Sequence, residues 1–234
     1  MTLRQLLFAL TLGLSPLLAT AQSDDAKAEP KPGSTLSVSI DGKPFTAPMR
    51  RIRFGGATFL TATQQKPERT VQFRLITDVP EKAPPAGEYL IVAREDFERK
   101  KRKELEALLT SAKAEGKVGY ALIDMLEETK GAGMAFHVGE SQQECKLVLT
   151  ASDEKQIRGT FSGTLRGVYY KEKPAATVFG GLGRLTSKLE DKAFTAATGF
   201  QGDISEGPIR GGYKKQPNTD TITLTGGTFV INLQ

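Results

Sequence analysis

The sequence predicts a mainly β domain, an antiparallel β-sandwich or partly closed barrel of about ten strands with one amphipathic helix. Two stretches and one change of period carry that prediction. In residues 157–165, Ile157, Gly159, Phe161, Gly163 and Leu165 fall on one side of an extended chain. Arg158, Thr160, Ser162 and Thr164 fall on the other, the period of a half-buried strand. Residues 221–233 close the chain with a similar alternation. Only residues 95–115 change to helical spacing, through Phe97, Leu105, Leu108, Leu109 and Ala112.

Taken in order, residues 1–21 read as a secretory signal. Arg4 supplies the positive end, residues 6–18 an apolar run, and Ala19-Thr20-Ala21 a small-x-small cleavage site. The run is short for a bilayer span, and no cysteine follows it for lipid attachment. The protein is therefore expected in the periplasm or outside the cell, with no transmembrane segment after cleavage. Removing the signal leaves 31 Lys plus Arg against 27 Asp plus Glu, a net charge of +4. That excess suits solubility or an anionic envelope surface. Nucleic acid is a poor partner for an exported chain whose aromatic and basic residues are not interleaved. Residues 22–34, rich in Asp, Ala, Lys and Pro, read as a disordered leader before a single β domain over 35–234.

The first strand is expected at 35–40, with Leu36, Val38 and Ile40 on one face, followed by an Asp41-Gly42 turn and an extended piece at 43–46. Arg50, Arg51 and Arg53 come next. They fit a solvated strand edge guarded by charge, with an anion-binding patch as the functional alternative. Residues 57–62 and 70–77 form a hairpin around a polar loop at 63–69. Pro80, Pro84, Pro85 and Gly87 interrupt the chain before 88–93, which is apolar on both sides and suits a strand covered on both faces.

The helix has acids in its first turn (Glu95, Asp96, Glu98) and Gly116 as its stop. Its run of Lys100, Lys101, Arg102 and Lys103 reads as a solvated face. Strand signals return at 118–126 and 134–138 around a turn at 127–133. Residues 144–150 pair with 156–165 across 151–155, and 167–170 extend that hairpin. Residues 171–219 hold eight glycines and three prolines, a composition of long loops and short edge strands.

In the last strand Ile222 and Leu224 are even-numbered, whereas Phe229, Ile231 and Leu233 are odd-numbered. A regular strand would send them to opposite faces, so an extra residue is expected at Gly226-Gly227, a glycine bulge. Gly159 and Gly163 on an apolar face imply close approach of a neighbouring element.

Residues that could carry chemistry are few, and no catalytic residue, metal ligand or cofactor is assigned. His137 is the only histidine; it alternates away from Phe136 and Val138, towards solvent or a polar rim. With one His and one Cys, a zinc site would have to rest on carboxylates. Cys145 alternates with Leu147 and Leu149 and reads as a small core residue; it has no partner for an internal disulfide. Ser162 lacks the Gly-x-Ser-x-Gly elbow of a nucleophile. Glu127 with Glu128 and Asp153 with Glu154 sit where solvated turns are expected, and the chain has no Trp to form a sugar platform. Residues 180–183 (Gly-Gly-Leu-Gly) lack the final glycine and the strand–helix context of a dinucleotide fingerprint.

Four segments together resemble a loose group of exported bacterial β proteins of unknown function, some described as lipocalin-like and others as β-sandwiches. They are residues 37–46 (Ser-Val-Ser-Ile-Asp-Gly-Lys-Pro-Phe-Thr), 87–90 (Gly-Glu-Tyr-Leu), 159–165 (Gly-Thr-Phe-Ser-Gly-Thr-Leu) and 226–230 (Gly-Gly-Thr-Phe-Val). The resemblance implies a β fold and export, and it transfers no catalytic residue.

The expected function is non-catalytic binding, with a small apolar ligand held in a barrel or sandwich cavity. An envelope interaction module, using an edge strand or Arg50, Arg51 and Arg53, is the alternative. A hydrolase built on His137 or a carboxylate pair is a third class.

Overall fold

The computed structural model describes residues 29–54, 56–65, 68–79, 83–94, 97, 102–129, 133–172 and 213–234. Residues 1–21, read as a signal, residues 22–28 of the expected leader and residues 173–212 lie outside the described residues. The first strands are β1 (Thr35–Ile40), β2 (Lys43–Phe54), β3 (Ala57–Gln65), β4 (Glu68–Ile76) and β5 (Gly87–Ile91), each beginning close to where the alternation predicts a strand. After helix α1 (Arg102–Ala114) follow β6 (Gly119–Thr129), β7 (Gly133–Gly139), β8 (Cys145–Ser152), β9 (Gln156–Glu172), β10 (Tyr213–Lys215) and β11 (Thr221–Asn232).

The eleven strands of the described residues belong to one sheet with the order β10-β9-β11-β1-β2-β3-β4-β6-β5-β8; β7 pairs with β6 and β9, and β8 pairs again with β9, so the sheet curls round until its ends meet. The long β9 makes this possible. One of its edges takes β11 and then β10; the other takes β8 along its first half and β7 along its second. β6 lies one strand away from it, pairing with β5 at Gly119–Ala121 and with β7 from Asp124 onward. Among the described strands every pairing is antiparallel except β5 with β6. β5 lies between β6 and β8, as its apolar run implied.

Several boundaries differ from the sequence reading. The polar residues expected as a loop at 63–69 continue both strands, with Thr63 opposite Thr70, Gln64 opposite Arg69 and Gln65 opposite Glu68. At the end of a barrel polar side chains can point into a wet rim, so polarity there does not end a strand. Lys31–Ser34, read as leader, form a hydrogen-bonded turn in which Ser34 is buried and its hydroxyl accepts the Asn232 N–H. The helical residues Arg94 and Phe97 precede α1, and Gly116, at φ 75°, ends it. The Lys117 N–H reaches Ala112 O and the Gly116 N–H reaches Lys113 O, closing the helix as a Schellman motif.

Asp41 and Gly42 both take positive φ, 49° and 78°, the two-residue turn that matches strand twist. The Asp41 carboxylate accepts the Thr223 N–H at 2.7 Å, which staples this hairpin to β11. β2 is one continuous strand over Lys43–Phe54 rather than the short extended piece expected at 43–46. Its pairing with β1 stops at Pro48, and its pairing with β3 begins at Met49. Arg50, Arg51 and Arg53 therefore stand on the stretch beyond the end of β1.

The inward faces meet in one core that includes Leu36, Met49, Leu60, Val71, Phe73, Met125, Leu147, Phe161 and Phe229. Phe73 lies edge-on to Phe161 at 4.8 Å and stacks on Phe229 at 5.4 Å. The two partner rings sit on opposed glycines. A side chain at Gly159 would strike the Phe229 ring, and one at Gly227 would lie 2.6 Å from the Phe161 ring. These contacts are the close approach expected of Gly159, and Gly163 shows the same against Cys145.

The expected bulge is present. Leu224 pairs with Gly163 but Gly227 pairs with Phe161, so β11 spends one extra residue, and Gly226 takes φ 61°. Ile222, Leu224, Phe229 and Ile231 thereby all reach the core. A Cβ at Gly226 would meet nothing within 4 Å, so Gly226→Ala tests backbone conformation alone. It is expected to cost about 1–2 kcal/mol in urea unfolding, with Gly226→Asn costing less.

Outside the ring, Arg74 lies over the Phe59 ring at 5.3 Å and the Phe97 ring at 4.4 Å, and Phe97 packs against Tyr120. Arg94 makes a two-pronged ion pair with Asp124, Nε to Oδ1 at 3.1 Å and Nη2 to Oδ2 at 2.5 Å. This pair joins the start of the helical region to the outer face of β6.

Candidate functional site

The chemistry collects where the second half of β9 lies between β7 and the approach to β11. In β7 the outward residues Phe136 and Val138 are buried as well as the inward ones, so alternation alone did not say which face was inside. Cross-strand pairing decides it. His137 stands opposite Met125 on one side and Gly167 on the other, both on the inner face. The sequence placed His137 towards solvent or a polar rim. The rim is there, but the imidazole is only 4% exposed and turned into the barrel end.

His137 Nε2 lies 3.0 Å from Asp220 Oδ1, and the Tyr169 hydroxyl donates to Oδ2 at 2.7 Å. The Tyr169 ring stands edge-on to the imidazole. Burial first, and then the hydrogen bond to Asp220, push the Tyr169 hydroxyl up to about 12, so it remains a donor. The Asp220 segment is itself anchored to β9. The Gly167 N–H donates to Asp220 O, Thr219 Oγ1 donates to Gly167 O, and the Gln216 N–H donates to Tyr169 O. Any side chain at Gly167 would collide with the Asp220 carboxylate, which explains glycine at that place.

A carboxylate only accepts, so the imidazole nitrogen facing Asp220 carries the hydrogen. In the neutral ring the other nitrogen, Nδ1, is then a lone-pair acceptor. His137 Nδ1 is buried and makes no hydrogen bond among the described residues. One step further towards the rim on the same face, Arg69 bonds Glu127 at 2.9 Å, and Glu127 lies opposite Ala135, two residues from His137. Together these groups make an oriented acceptor beside a charged rim.

Other candidates are not brought to this place. Ser162 is exposed on the outer face of β9 opposite Lys146, away from the inward imidazole. Cys145 is buried, its thiol donates to Thr164 O, and burial pushes it up to about 11, which fits the core role read from its alternation. Asp153 accepts two backbone N–H groups of its own turn. Among the described residues no three His, Cys, Asp or Glu side chains gather to hold a metal ion.

No family model, curated protein or solved structure matches this chain.

Sequence reasoning passed over Asp220 and Tyr169 because both lie in or beside the glycine-rich stretch that offered no register. The one usable signal was Gly167, a glycine in line with the apolar face of residues 157–165.

Proposed function

We propose that this protein is an exported, non-catalytic binding protein that holds a small ligand at the His137 end of its barrel. The observation that carries this reading is His137 Nδ1, buried and unbonded while Asp220 orients the ring. Leaving such an atom unsatisfied costs about 1–3 kcal/mol, which a ligand with a matching group recovers. Phe73, Phe161 and Phe229 fill the core with packed rings, so the ligand of this reading is small and its apolar part short. The secretory signal at 1–21 and the resemblance to exported β proteins support a place outside the cytoplasm. Among the described residues no helix is long and apolar enough to cross a membrane.

The test is native mass spectrometry on protein purified from the periplasm without detergent. A discrete mass released on denaturation is expected from the natural chain and not from His137→Gln of unchanged melting temperature. One observation favours a second reading, an envelope interaction module. β2 runs on beyond β1 with Arg50, Arg51 and Arg53 on the overhang. A bare mass from both chains, with cross-links from residues 49–54 to another envelope protein in intact cells, would replace the first reading by the second.

A further inference from the structure

Resting on the binding site proposed above, we infer that its ligand presents an N–H or O–H donor to His137, as an amine or alcohol does and an anion does not. The inference follows from the direction of hydrogen bonds. Asp220 takes the Nε2 hydrogen of His137 through one oxygen and the Tyr169 hydroxyl through the other. The ring cannot exchange its two nitrogens without breaking the first bond, so in the neutral ring Nδ1 is the bare one. An anion brought against that lone pair meets no hydrogen and is repelled; a donor completes the only bond the ring still lacks.

Charge around the ring points the same way. Facing His137 are Asp220 from the approach to β11, Tyr169 from β9, and the ion pair of Glu127 on β6 with Arg69 on β4. Among the described residues, two carboxylates, Asp220 and Glu127, stand there with one guanidinium, Arg69, which suits a neutral or cationic ligand better than an anion.

His137 is the only histidine, so long-range proton–nitrogen NMR reads its two ring nitrogens without ambiguity. The probes are benzylamine, benzyl alcohol and benzoate, which share a ring and differ in the polar group. In the free protein the hydrogen is expected on Nε2. Benzylamine or benzyl alcohol should shift Nδ1 and bind at least about tenfold more tightly than benzoate, the scale of one oriented hydrogen bond. Which of the two binds better tells whether charge adds to the donor. Asp220→Asn, whose amide no longer dictates the tautomer, should narrow the preference while leaving the melting temperature nearly unchanged. Benzoate binding as well as the other two, with Nδ1 shifted by all three, would overturn the donor inference and leave the site standing. No shift of Nδ1 with any of the three would overturn the site itself.

Discussion

Replacing Phe73 with alanine is expected to lower the unfolding free energy by about 3–5 kcal/mol, read from urea denaturation at unchanged m-value. The side chain is fully buried and packs against the Phe161 and Phe229 rings, which are carried on paired strands β9 and β11. Removing it loses the transfer of the buried atoms and leaves a cavity to the extent that those strands stay paired, which adds to the cost. Phe73→Leu, which keeps most of the volume, should cost roughly 1–2 kcal/mol. The result also bears on function. A loss below about 1 kcal/mol for the alanine variant would mean a loosely filled interior with room for a larger apolar ligand deep in the barrel.

Asp124→Ala is expected to cost about 3–5 kcal/mol as well, for a different reason. The Asp124 carboxyl is 2% exposed and the Arg94 side chain 11%, so the alanine variant leaves a guanidinium largely cut off from water without its carboxylate. Gln72 and Val138 are the cross-strand neighbours, and the Gln72 amide is already committed to Thr61 Oγ1. Neither replaces the lost charge. Adding Arg94→Met to Asp124→Ala should restore most of the stability, because removing both charges removes the penalty along with the bond. The coupling from this double-mutant cycle is the measured quantity. Single variants that each cost less than about 1 kcal/mol would show that water reaches the pair and that the helical region is held by Phe97 and Arg74 instead.

The two variants divide the fold by origin. Phe73 belongs to an alternation visible in the sequence, with Val71, Phe73 and Leu75 set against Gln72 and Arg74. Asp124 sits on the other face of an apparently apolar strand, and its importance comes from Arg94, thirty residues earlier in the chain. The same contrast holds along the whole protein. The Asp41-Gly42 turn, the Gly226-Gly227 bulge, the glycine stop at Gly116 and the packing role of Cys145 could all be read locally. Each depends on dihedral preference or on a two-residue period, and both are properties of short stretches. The polar ends of β3 and β4 misled for the same reason, since polarity was taken as a loop where the end of a barrel made it a rim.

The sequence by itself determined a β fold, the faces of most strands, the bulge that keeps β11 in register and the helix stop. Only the tertiary structure decided that the sheet closes on β9, that β2 overhangs β1, and that His137 points inward. It also supplied the partners that give His137 its chemistry. Asp220 lies 83 residues beyond His137 and 51 beyond Tyr169 in the chain. The physical reason is range. Alternation is written by neighbours along the chain, whereas ring closure and the orientation of a side-chain acceptor depend on which distant strands meet. Such pairings are chosen by the packing of the whole barrel.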